Sequence, residues 1–353
     1  MARTSAAPVT MKTLADHVGV SIATISNAFS RPDQLSKDLR DQILSTAEEL
    51  GYAGPSVAGR ALRSGRSDVC GLLFNGELSQ AFSDPYLVIF LSGLSESLEE
   101  FGASVLLLRA APGPALQRAP IDALVASSTA TDRDDFDVLR RRGVRIVNTG
   151  QAHAGDWVGI NDQGAARLIA RHLTRLGHQE IAVVTPGEQG RFGEWSYSPQ
   201  RPLPGMPEAT YEGQRLRGLW NEFGQKALRV VAAGGNTREA GRRAAAQALE
   251  VQHRPTAIVA LSDVLAFGVI DAARTRGLEP GRDLSITGFD DVPEADFLGL
   301  TTIHQPIAEK GRLAGLLAMD PDYPDRQISM PVELVVRSST GPATTPSRHK
   351  EAQ

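Results

Sequence analysis

Apolar side chains recur at helical spacing over the N-terminal part of the chain. The spacing predicts three helices, at about 11–18, 21–28 and 36–50. Their apolar stripes are, in order, Met11, Leu14, Ala15 and Val18; Ile25 and Phe29; and Leu39, Ile43, Ala47 and Leu50. A hydroxyl residue stands at the start of each helix and can cap its first turn: Thr10, Ser21 and Ser36. The stripes predict a small bundle around one apolar core.

Two glycines mark the ends of predicted helices in this bundle. Gly19 lies where the first two helices must turn sharply, and glycine enters left-handed backbone at little cost. Gly51 is well placed to end the third helix. The second helix presents small or polar groups on its other side: Ile22, Ala23, Thr24, Ser26 and Asn27. Such groups can reach base edges and phosphates in a major groove, although a generic three-helix bundle fits the same spacing.

A short arginine-bearing segment, VAGRALRS, follows Pro55 and Ser56 and ends at Gly65. Gly59 within it costs about 1 kcal/mol relative to alanine, and so short a helix is not stable in isolation. We therefore expect it to fold only on a template. Its arginines indicate that the template is phosphate: Arg60, Arg63 and Arg66. An ordinary polar linker is the alternative interpretation.

From Asp68 onward, strand-like runs alternate with helix-like runs. The predicted strands are 69–74, 103–108, 121–126, 145–148, 181–184, 228–233, 256–261 and 284–288. The predicted helices are about 85–101, 133–143, 162–176, 212–223, 237–250, 262–276 and 306–319, and several end at a glycine: Gly102, Gly143, Gly177 and Gly277. The alternation predicts parallel sheets covered on both faces, divided into two Rossmann-like lobes. Ligands bind at the carboxyl ends of such strands, so we expect a site in the cleft between the lobes.

The length and the charge distribution of the chain agree with a small domain attached to a larger one. The chain has 353 residues, enough for two or three domains, and a net charge of -4. Residues 1–66 carry eight Lys/Arg and six Asp/Glu, so the small unit is at +2 and the remainder at -6. A basic small domain on an acidic body is the expected asymmetry if only the small domain meets phosphate.

The sequence lacks the motifs that are typical of several classes of protein. Cys70 is the single cysteine, so no intrachain disulfide can form, and we expect it to be a buried small apolar group. No apolar run approaches 18 residues and the N-terminus has no secretory h-region, so we expect a cytoplasmic protein. Nucleotide-binding glycine motifs, HExxH and GxSxG are absent, and the histidines lack metal-ligand spacing. No enzyme activity, cofactor or metal is therefore expected.

The stretches TMKTLADHVGVSIATISNAF, LSKDLRDQILSTAEELGY and PSVAGRALRSGRSDVCGLLF resemble the LacI/GalR family of bacterial repressors. The likeness continues through INDQGAARLIARHLTRLGHQEIAVV, PTAIVALSDVLAFGVIDAARTRGLEPGRDLSITGFDD and LTTIHQP. It implies an α/β fold with an N-terminal three-helix helix-turn-helix headpiece and two Rossmann-like lobes of the periplasmic-binding-protein type. The implied domains are a headpiece over 8–54, a hinge helix over 55–66, an effector-binding and dimerisation domain over 67–340 and a polar tail over 341–353.

The resemblance also implies which residues meet DNA. They are Thr10, Ser21, Ile22, Ala23, Thr24, Ser26 and Asn27 in the headpiece and Arg60, Ala61, Leu62 and Arg63 in the hinge. In the family the hinge helix folds in the minor groove, and a leucine that matches Leu62 inserts between base pairs and kinks the duplex. Asn27 stands where a member of the family has a base-reading arginine, and asparagine favours adenine where arginine favours guanine.

For the cleft, the resemblance implies effector contacts from Arg215 and Asp290, with Ser262 and Tyr86 at further pocket positions. The alternative for each is an interlobe salt bridge or a helix cap. Asn236 stands where relatives place a stacking aromatic, and residues 185–210 form a longer loop than relatives have. We hypothesise that this loop supplies the missing stacking surface. The aromatic residues it offers are Phe192, Trp195 and Tyr197. A mobile surface loop is the alternative.

The implied function is a DNA-binding transcriptional regulator, acting as a repressor. Its expected partners are double-stranded, pseudo-palindromic operator DNA, a second copy of the chain and a sugar or related polar effector. The tail from Gly341 lacks heptad leucines, so a homodimer rather than a tetramer is expected. Effector binding should reorient the lobes and change hinge spacing. The rival class, a sugar-binding transport protein, would need an export signal and no headpiece.

Overall fold

A computed structural model describes residues 9–52, 54, 65–74, 76–110, 114–126, 134–150, 155–203, 208–223 and 228–344. The chain forms two compact units, Met1–Ser67 and Asp68–Gln353, which we call the headpiece and the body. Residues 55–64 of the predicted hinge helix and residues 345–353 of the polar tail lie outside the described residues.

The headpiece contains the predicted helices, α1 (Met11–Val18), α2 (Ile22–Ser30) and α3 (Lys37–Glu49), with a short 3₁₀ turn at Pro32–Gln34. The three predicted caps are confirmed, because each hydroxyl accepts a hydrogen bond from a first-turn N–H: Thr10, Ser21 and Ser36. Gly19 turns the chain at φ 77°, in the left-handed region, as predicted.

The headpiece core is formed by the predicted apolar stripes. Leu14, Ile25 and Ile43 are fully buried, one from each helix, and the other stripe residues pack around them. Ala28 also joins the core although the sequence reading left it out. Three short helices that share one buried centre leave their opposite faces to solvent.

The body alternates strands and helices as predicted. Its strands are β1 (Val69–Phe74), β2 (Ser104–Arg109), β3 (Ala123–Ala126), β4 (Arg145–Asn148), β5 (Asp156–Ile160), β6 (Ile181–Thr185), β7 (Phe192–Tyr197), β8 (Leu228–Ala233), β9 (Ala257–Ala260), β10 (Ser285–Thr287), β11 (Thr302–His304), β12 (Gln327–Met330) and β13 (Glu333–Val335). Its helices are α4 (Pro85–Glu100), α5 (Ala115–Arg118), α6 (Asp134–Arg141), α7 (Asp162–Arg175), α8 (Tyr211–Glu222), α9 (Arg238–Leu249), α10 (Asp263–Thr275), α11 (Pro293–Phe297) and α12 (Ile307–Met319).

Two sheets divide the body into two lobes. The first lobe has the parallel sheet β12-β5-β4-β3-β1-β2, and α12 packs extensively on α4 beside it. The second lobe has the sheet β10-β9-β6-β8-β7, in which β7 is antiparallel to β8 and the other pairs are parallel. The chain passes between the lobes at β5 to α7, at β11 to α12 and after β12.

The structure corrects the prediction that residues 185–210 are a loop. Residues Phe192–Tyr197 form the edge strand β7, with Trp195 opposite Val230 and Tyr197 opposite Leu228. Side chains alternate along a strand, so Trp195 and Tyr197 share the face that packs on the core while Phe192 lies on the exposed face. The sequence reading also missed β5, β11, β12 and β13, which are short strands whose residues alternate only weakly.

Candidate functional site

A cavity of about 210 Å³ lies between the two lobes, at the carboxyl ends of their strands. Phe74 ends β1 and lines it from the first lobe, while Leu261 follows β9 and lines it from the second. The remaining lining residues are Gly76, Gln80, Asp84, Tyr86, Leu87, Thr149, Asp162, Pro186, Gly187, Gln189, Tyr211, Glu212, Arg215, Gly235, Asn236, Ser262, Asp290 and Lys310. The cleft predicted from the parallel sheets is therefore present, and most of its lining residues carry polar side chains.

Arg215 is buried at the floor of this cavity and is held from several sides. Its Nε donates to Asp162 Oδ1 at 2.8 Å, and its Nη1 donates to the carbonyl of Leu261 at 2.6 Å. The guanidinium carbon lies 3.4 Å from the centre of the Phe289 ring and 4.7 Å from that of Tyr211. The predicted ligand contact thus lines the cavity, and it also makes a buried salt bridge, which lies within the second lobe and is not the interlobe bridge given as its alternative role.

A glycine on α8 allows the close helix approach that pairs Arg215 with Asp162. A Cβ on Gly218 would lie 2.3 Å from the backbone oxygen of Gln163 on α7, which real side chains do not tolerate. Arg215 lies three residues earlier on α8, and Asp162 opens α7. The glycine therefore sets the helix spacing on which the ion pair depends.

Asp290 lies in an unusual backbone conformation at the other side of the floor. Its φ is 129°, and its N–H donates to the carbonyl of Ile303 at 2.9 Å. Its Oδ1 accepts a hydrogen bond from Gln305 Nε2 at 2.7 Å. Burial raises the pKa of Asp290 well above its ordinary value; the Arg215 charge opposes that rise and the Asp84 carboxylate adds to it. Strained backbone held by surrounding bonds is a common feature of ligand sites.

A chain of hydrogen bonds crosses the cavity from one lobe to the other. Asn236 of the second lobe donates from Nδ2 to Asp84 Oδ2 of the first lobe at 2.9 Å, and its Oδ1 accepts from Ser262 Oγ at 2.6 Å. Ser262 also caps α10 through the N–H of Leu265. Asn236 thus lines the cavity as a polar bridge between the lobes.

Three charged residues that sequence reasoning did not single out also line the cavity: Asp84, Glu212 and Lys310. Lys310 Nζ donates a hydrogen bond to the hydroxyl of Tyr86, a predicted pocket residue, at 3.1 Å. Glu212 accepts from Thr185 Oγ1 at 2.8 Å and from the Gly187 N–H at 3.0 Å, and burial raises its pKa. Asp84 is an N-cap and Glu212 stands in a first helical turn, where a carboxylate in the sequence indicates capping and does not reveal a cavity.

The aromatic residues proposed to stack on the ligand are not among the residues that line the cavity. Tyr197 is buried in the lobe core and Trp195 packs against it, because both point inward from β7. Phe192 is 44% exposed, with the Arg243 guanidinium 5.6 Å from its ring centre. The stacking hypothesis is therefore wrong in its placement of these side chains. Among the described residues of this segment, those that line the cavity are Pro186, Gly187 and Gln189, near its start.

On the headpiece, most of the predicted DNA-facing residues lie on α2 or cap its start. Ile22 is 47% exposed and Ala23 is exposed, while Thr24, Ser26 and Asn27 are half-buried. Thr10 and Ser21 are exposed and are occupied as caps. Asn27 Nδ2 donates to Gln34 Oε1 at 3.3 Å. The hinge residues Arg60, Ala61, Leu62 and Arg63 lie outside the described residues.

In the part of the chain that the structure describes, no helix is long and apolar enough to cross a membrane. Within the same ranges, no group of three or more His, Cys, Asp or Glu side chains could hold a metal ion.

Comparison with known proteins places both units in one family. Residues 10–54 match "Bacterial regulatory proteins, lacI family", and residues 170–340 match "Periplasmic binding protein-like domain". A helix-turn-helix-type transcriptional regulator of Mycolicibacterium smegmatis is 35% identical over 334 residues, which is 88% of this chain and 90% of that protein. The solved structure of a LacI-family regulator from Corynebacterium glutamicum is 26% identical, with a TM-score of 0.65 over 95% of this chain and 98% of its own.

The lac repressor dimer bound to operator and the anti-inducer ONPF shares the fold, with a TM-score of 0.71 and 22% identity over 95% of this chain and all of its own. The headpiece match, the second-unit match and the extended sequence identity agree with each other. The chain belongs to the lacI family of bacterial transcriptional regulators.

Proposed function

We propose that this regulator is a repressor that binds a pseudo-palindromic operator as a homodimer, and that a small polar effector in the interlobe cavity controls its affinity for DNA. The observation that carries the proposal is the cavity itself, in which buried Arg215 and Asp290 face a hydrogen-bonded bridge between Asp84 and Asn236. A ligand that replaces those bonds changes how the lobes are held together. No catalytic role is assigned, and a cytoplasmic location is proposed.

The DNA contacts are assigned from α2 for the headpiece and from the family resemblance for the hinge. We assign α2, with exposed Ile22 and Ala23 and half-buried Asn27, to the major groove, and the hinge with Leu62 to the minor groove. The proposed domains are the headpiece over 8–54, the hinge over 55–66, the effector-binding and dimerisation domain over 67–340 and the tail over 341–353. The similar lac repressor was solved as a dimer on its operator with a small molecule bound, which supports this arrangement.

The effector is proposed to be a sugar or a related polar metabolite. A cavity of about 210 Å³ is small compared with pockets for drug-sized ligands, which are roughly 300–1,000 Å³. Its walls offer a guanidinium, carboxylates and amides that hydrogen-bond to hydroxyl groups. Effector binding is proposed to alter the orientation of the lobes and thereby the spacing of the two hinge helices in the dimer.

The test uses the full-length protein and operator DNA selected from a random duplex library. Operator affinity is measured by fluorescence anisotropy at fixed salt, with and without the sugars that raise the protein's melting temperature. The Asp290→Asn variant, which keeps an acceptor for Gln305, should lose the ligand response. The exposed Asp325→Asn variant makes the same charge change away from the cavity and should keep the response. Failure to select any specific duplex would overturn the proposal.

A further inference from the structure

Helix N-termini converge on the cavity, and each already holds a carboxylate of the protein. Asp84 is the N-cap of α4, Asp162 is the first residue of α7 and Glu212 is the second residue of α8. All three side chains line the cavity. The free N–H groups of a helix N-terminus ordinarily form a binding site for phosphate or carboxylate ligands. Here the favourable position for a negative charge is occupied by the chain itself.

A backbone donor at each of these N-termini is also capped. Asp84 Oδ1 accepts from the Tyr86 N–H at 3.0 Å, and Pro85 beside it has no N–H to offer. Three further caps act in the same way on α7, α8 and α10, through Asn161 on Gly164, Thr210 on Gly213 and Ser262 on Leu265. An anion at any of these helix starts would therefore find fewer free N–H groups than an uncapped helix offers.

The cations of the cavity are committed to protein partners. Arg215 donates to Asp162 and to the Leu261 carbonyl, and Lys310 donates to the Tyr86 hydroxyl. The charged lining residues are four carboxylates, Asp84, Asp162, Glu212 and Asp290, and two cations, Arg215 and Lys310, so the formal charge of the lining is -2. Burial is the largest cause of the raised pKa of Asp84 and of Asp290, and the Asp263 and Asp84 carboxylates add to the rise at Asp290.

We propose that this cavity selects an uncharged ligand rich in hydrogen-bond donors, such as a neutral sugar or polyol, and excludes its phosphorylated and carboxylated counterparts. The inference rests on the proposed function of the cavity as the effector site. Ligand hydroxyls can donate to carboxylate oxygens, whereas a phosphate meets like charges and capped N–H groups. Among the hydrogen bonds of the described residues, Asp290 uses only its Oδ1, so its Oδ2 is an acceptor for a ligand hydroxyl.

The experiment compares matched ligands on the full-length protein by isothermal titration calorimetry. Each neutral compound is paired with its own phosphate and its own acid: glucose with glucose 6-phosphate and glucuronate, ribose with ribose 5-phosphate and ribonate, and so on across hexoses, pentoses and polyols. At least one neutral member should bind, and the affinity of its charged counterparts should be lower by at least about 100-fold. A charged member that binds as tightly as its neutral partner overturns the inference.

A variant tests whether the carboxylates cause the discrimination. Glu212→Gln removes one negative charge from the lining but keeps Oε1, the atom that accepts from Thr185 and Gly187. It should reduce the ratio of neutral to anionic affinity about tenfold. Glu239→Gln changes the net charge equally on exposed α9, outside the lining, and should leave the ratio unchanged.

The outcomes separate the inference from the proposed function. If the protein binds a selected operator but no neutral member of the panel binds, the assigned ligand class is wrong and the regulator assignment stands. If a phosphate or acid binds and alters operator affinity, the inference fails while the proposed function holds. If no specific operator is bound, the proposed function itself fails. The comparison of ligands on the unaltered protein does not depend on whether the Glu212→Gln variant folds.

Discussion

Asn236 in the second lobe donates a hydrogen bond from its Nδ2 to Oδ2 of Asp84 in the first lobe, with the two atoms 2.9 Å apart. The same amide accepts from Ser262 at its oxygen, so both ends of the Asn236 side chain are used. Asp84 in turn caps α4 through the N–H of Tyr86. One amide therefore connects helix starts of the two lobes.

The first prediction concerns this pair. In a double-mutant cycle of Asn236→Ala and Asp84→Ala, the unfolding free energies from urea denaturation should show a coupling of about 1–2 kcal/mol, because a hydrogen bond to a charged group is lost in either single variant. The loss of the α4 cap appears equally in both Asp84→Ala backgrounds and cancels. Additive effects would mean that the two side chains do not interact in solution.

The second prediction compares two arginines of α8. Arg215→Met should lower the free energy of unfolding by about 3–5 kcal/mol, since it leaves the buried Asp162 carboxylate without its partner. Arg217 lies on the same helix and forms an exposed pair with Glu208, which precedes the helix. Arg217→Met should lower the free energy of unfolding by at most about 1 kcal/mol. Urea denaturation of both variants checks this. Similar losses in the two would show that Arg215 and Asp162 are not a buried pair.

The third prediction is a pH dependence of stability. Burial raises the pKa of Asp263 from 3.8 to about 6, although Thr302 and the Val292 N–H donate to it. Between about pH 4 and pH 6 the folded protein therefore holds a proton that the unfolded chain has released. The free energy of unfolding should fall over this window as pH rises, by about 2–3 kcal/mol from this group, and level off above it.

The measurement for Asp263 is the difference between the unaltered protein and Asp263→Asn in urea denaturation from pH 4 to pH 7. The variant lacks the titrating group, so its curve should lose this part of the slope, with a constant offset for the hydrogen bond that asparagine cannot accept. Exposed Asp325→Asn serves as the control and should run parallel to the unaltered protein. Parallel curves for Asp263→Asn would contradict the raised pKa.

The fourth prediction separates capping from DNA contact at Ser21. Its Oγ accepts from the Thr24 N–H at 3.0 Å. Ser21→Ala should destabilise the headpiece by about 1 kcal/mol, whereas Ser21→Asp keeps an acceptor at the cap. The aspartate adds a negative charge near phosphate, so we expect at least a roughly tenfold loss of operator affinity without loss of headpiece stability. Circular dichroism melting and anisotropy measure the two effects. Full operator affinity for Ser21→Asp would place Ser21 away from DNA.

The fifth prediction concerns Leu62 in the hinge segment. Leu62→Ala should weaken binding to a selected operator at least about tenfold, because an apolar wedge that opens the central base step is lost. Affinity for a random duplex depends on phosphate contacts and should change little. Anisotropy with both duplexes at one salt concentration makes the comparison. An equal loss on both would indicate a defect in folding or charge and would rule out the wedge.

Local patterns in the sequence were sufficient for much of the fold. Thr10, Ser21 and Ser36 cap their helices as predicted, since a cap involves residues only a few positions apart. Gly102, Gly143, Gly177 and Gly277 all have positive φ, as expected at helix ends. The alternation of buried strands and helices predicted two parallel sheets, and their carboxyl edges predicted where the cavity lies.

What the sequence determined by itself, therefore, is the headpiece helices, the main alternating strands and helices of the body, many of their ends and the edge at which ligand chemistry is possible. The tertiary structure alone decided that Asn236 meets Asp84 and that Lys310 meets Tyr86, because those partners come from segments far apart in the chain. It also turned Trp195 inward on an edge strand, against the expected loop. Periodicity reports which face of an element is apolar, whereas the charge and shape of the cavity follow from how distant elements pack.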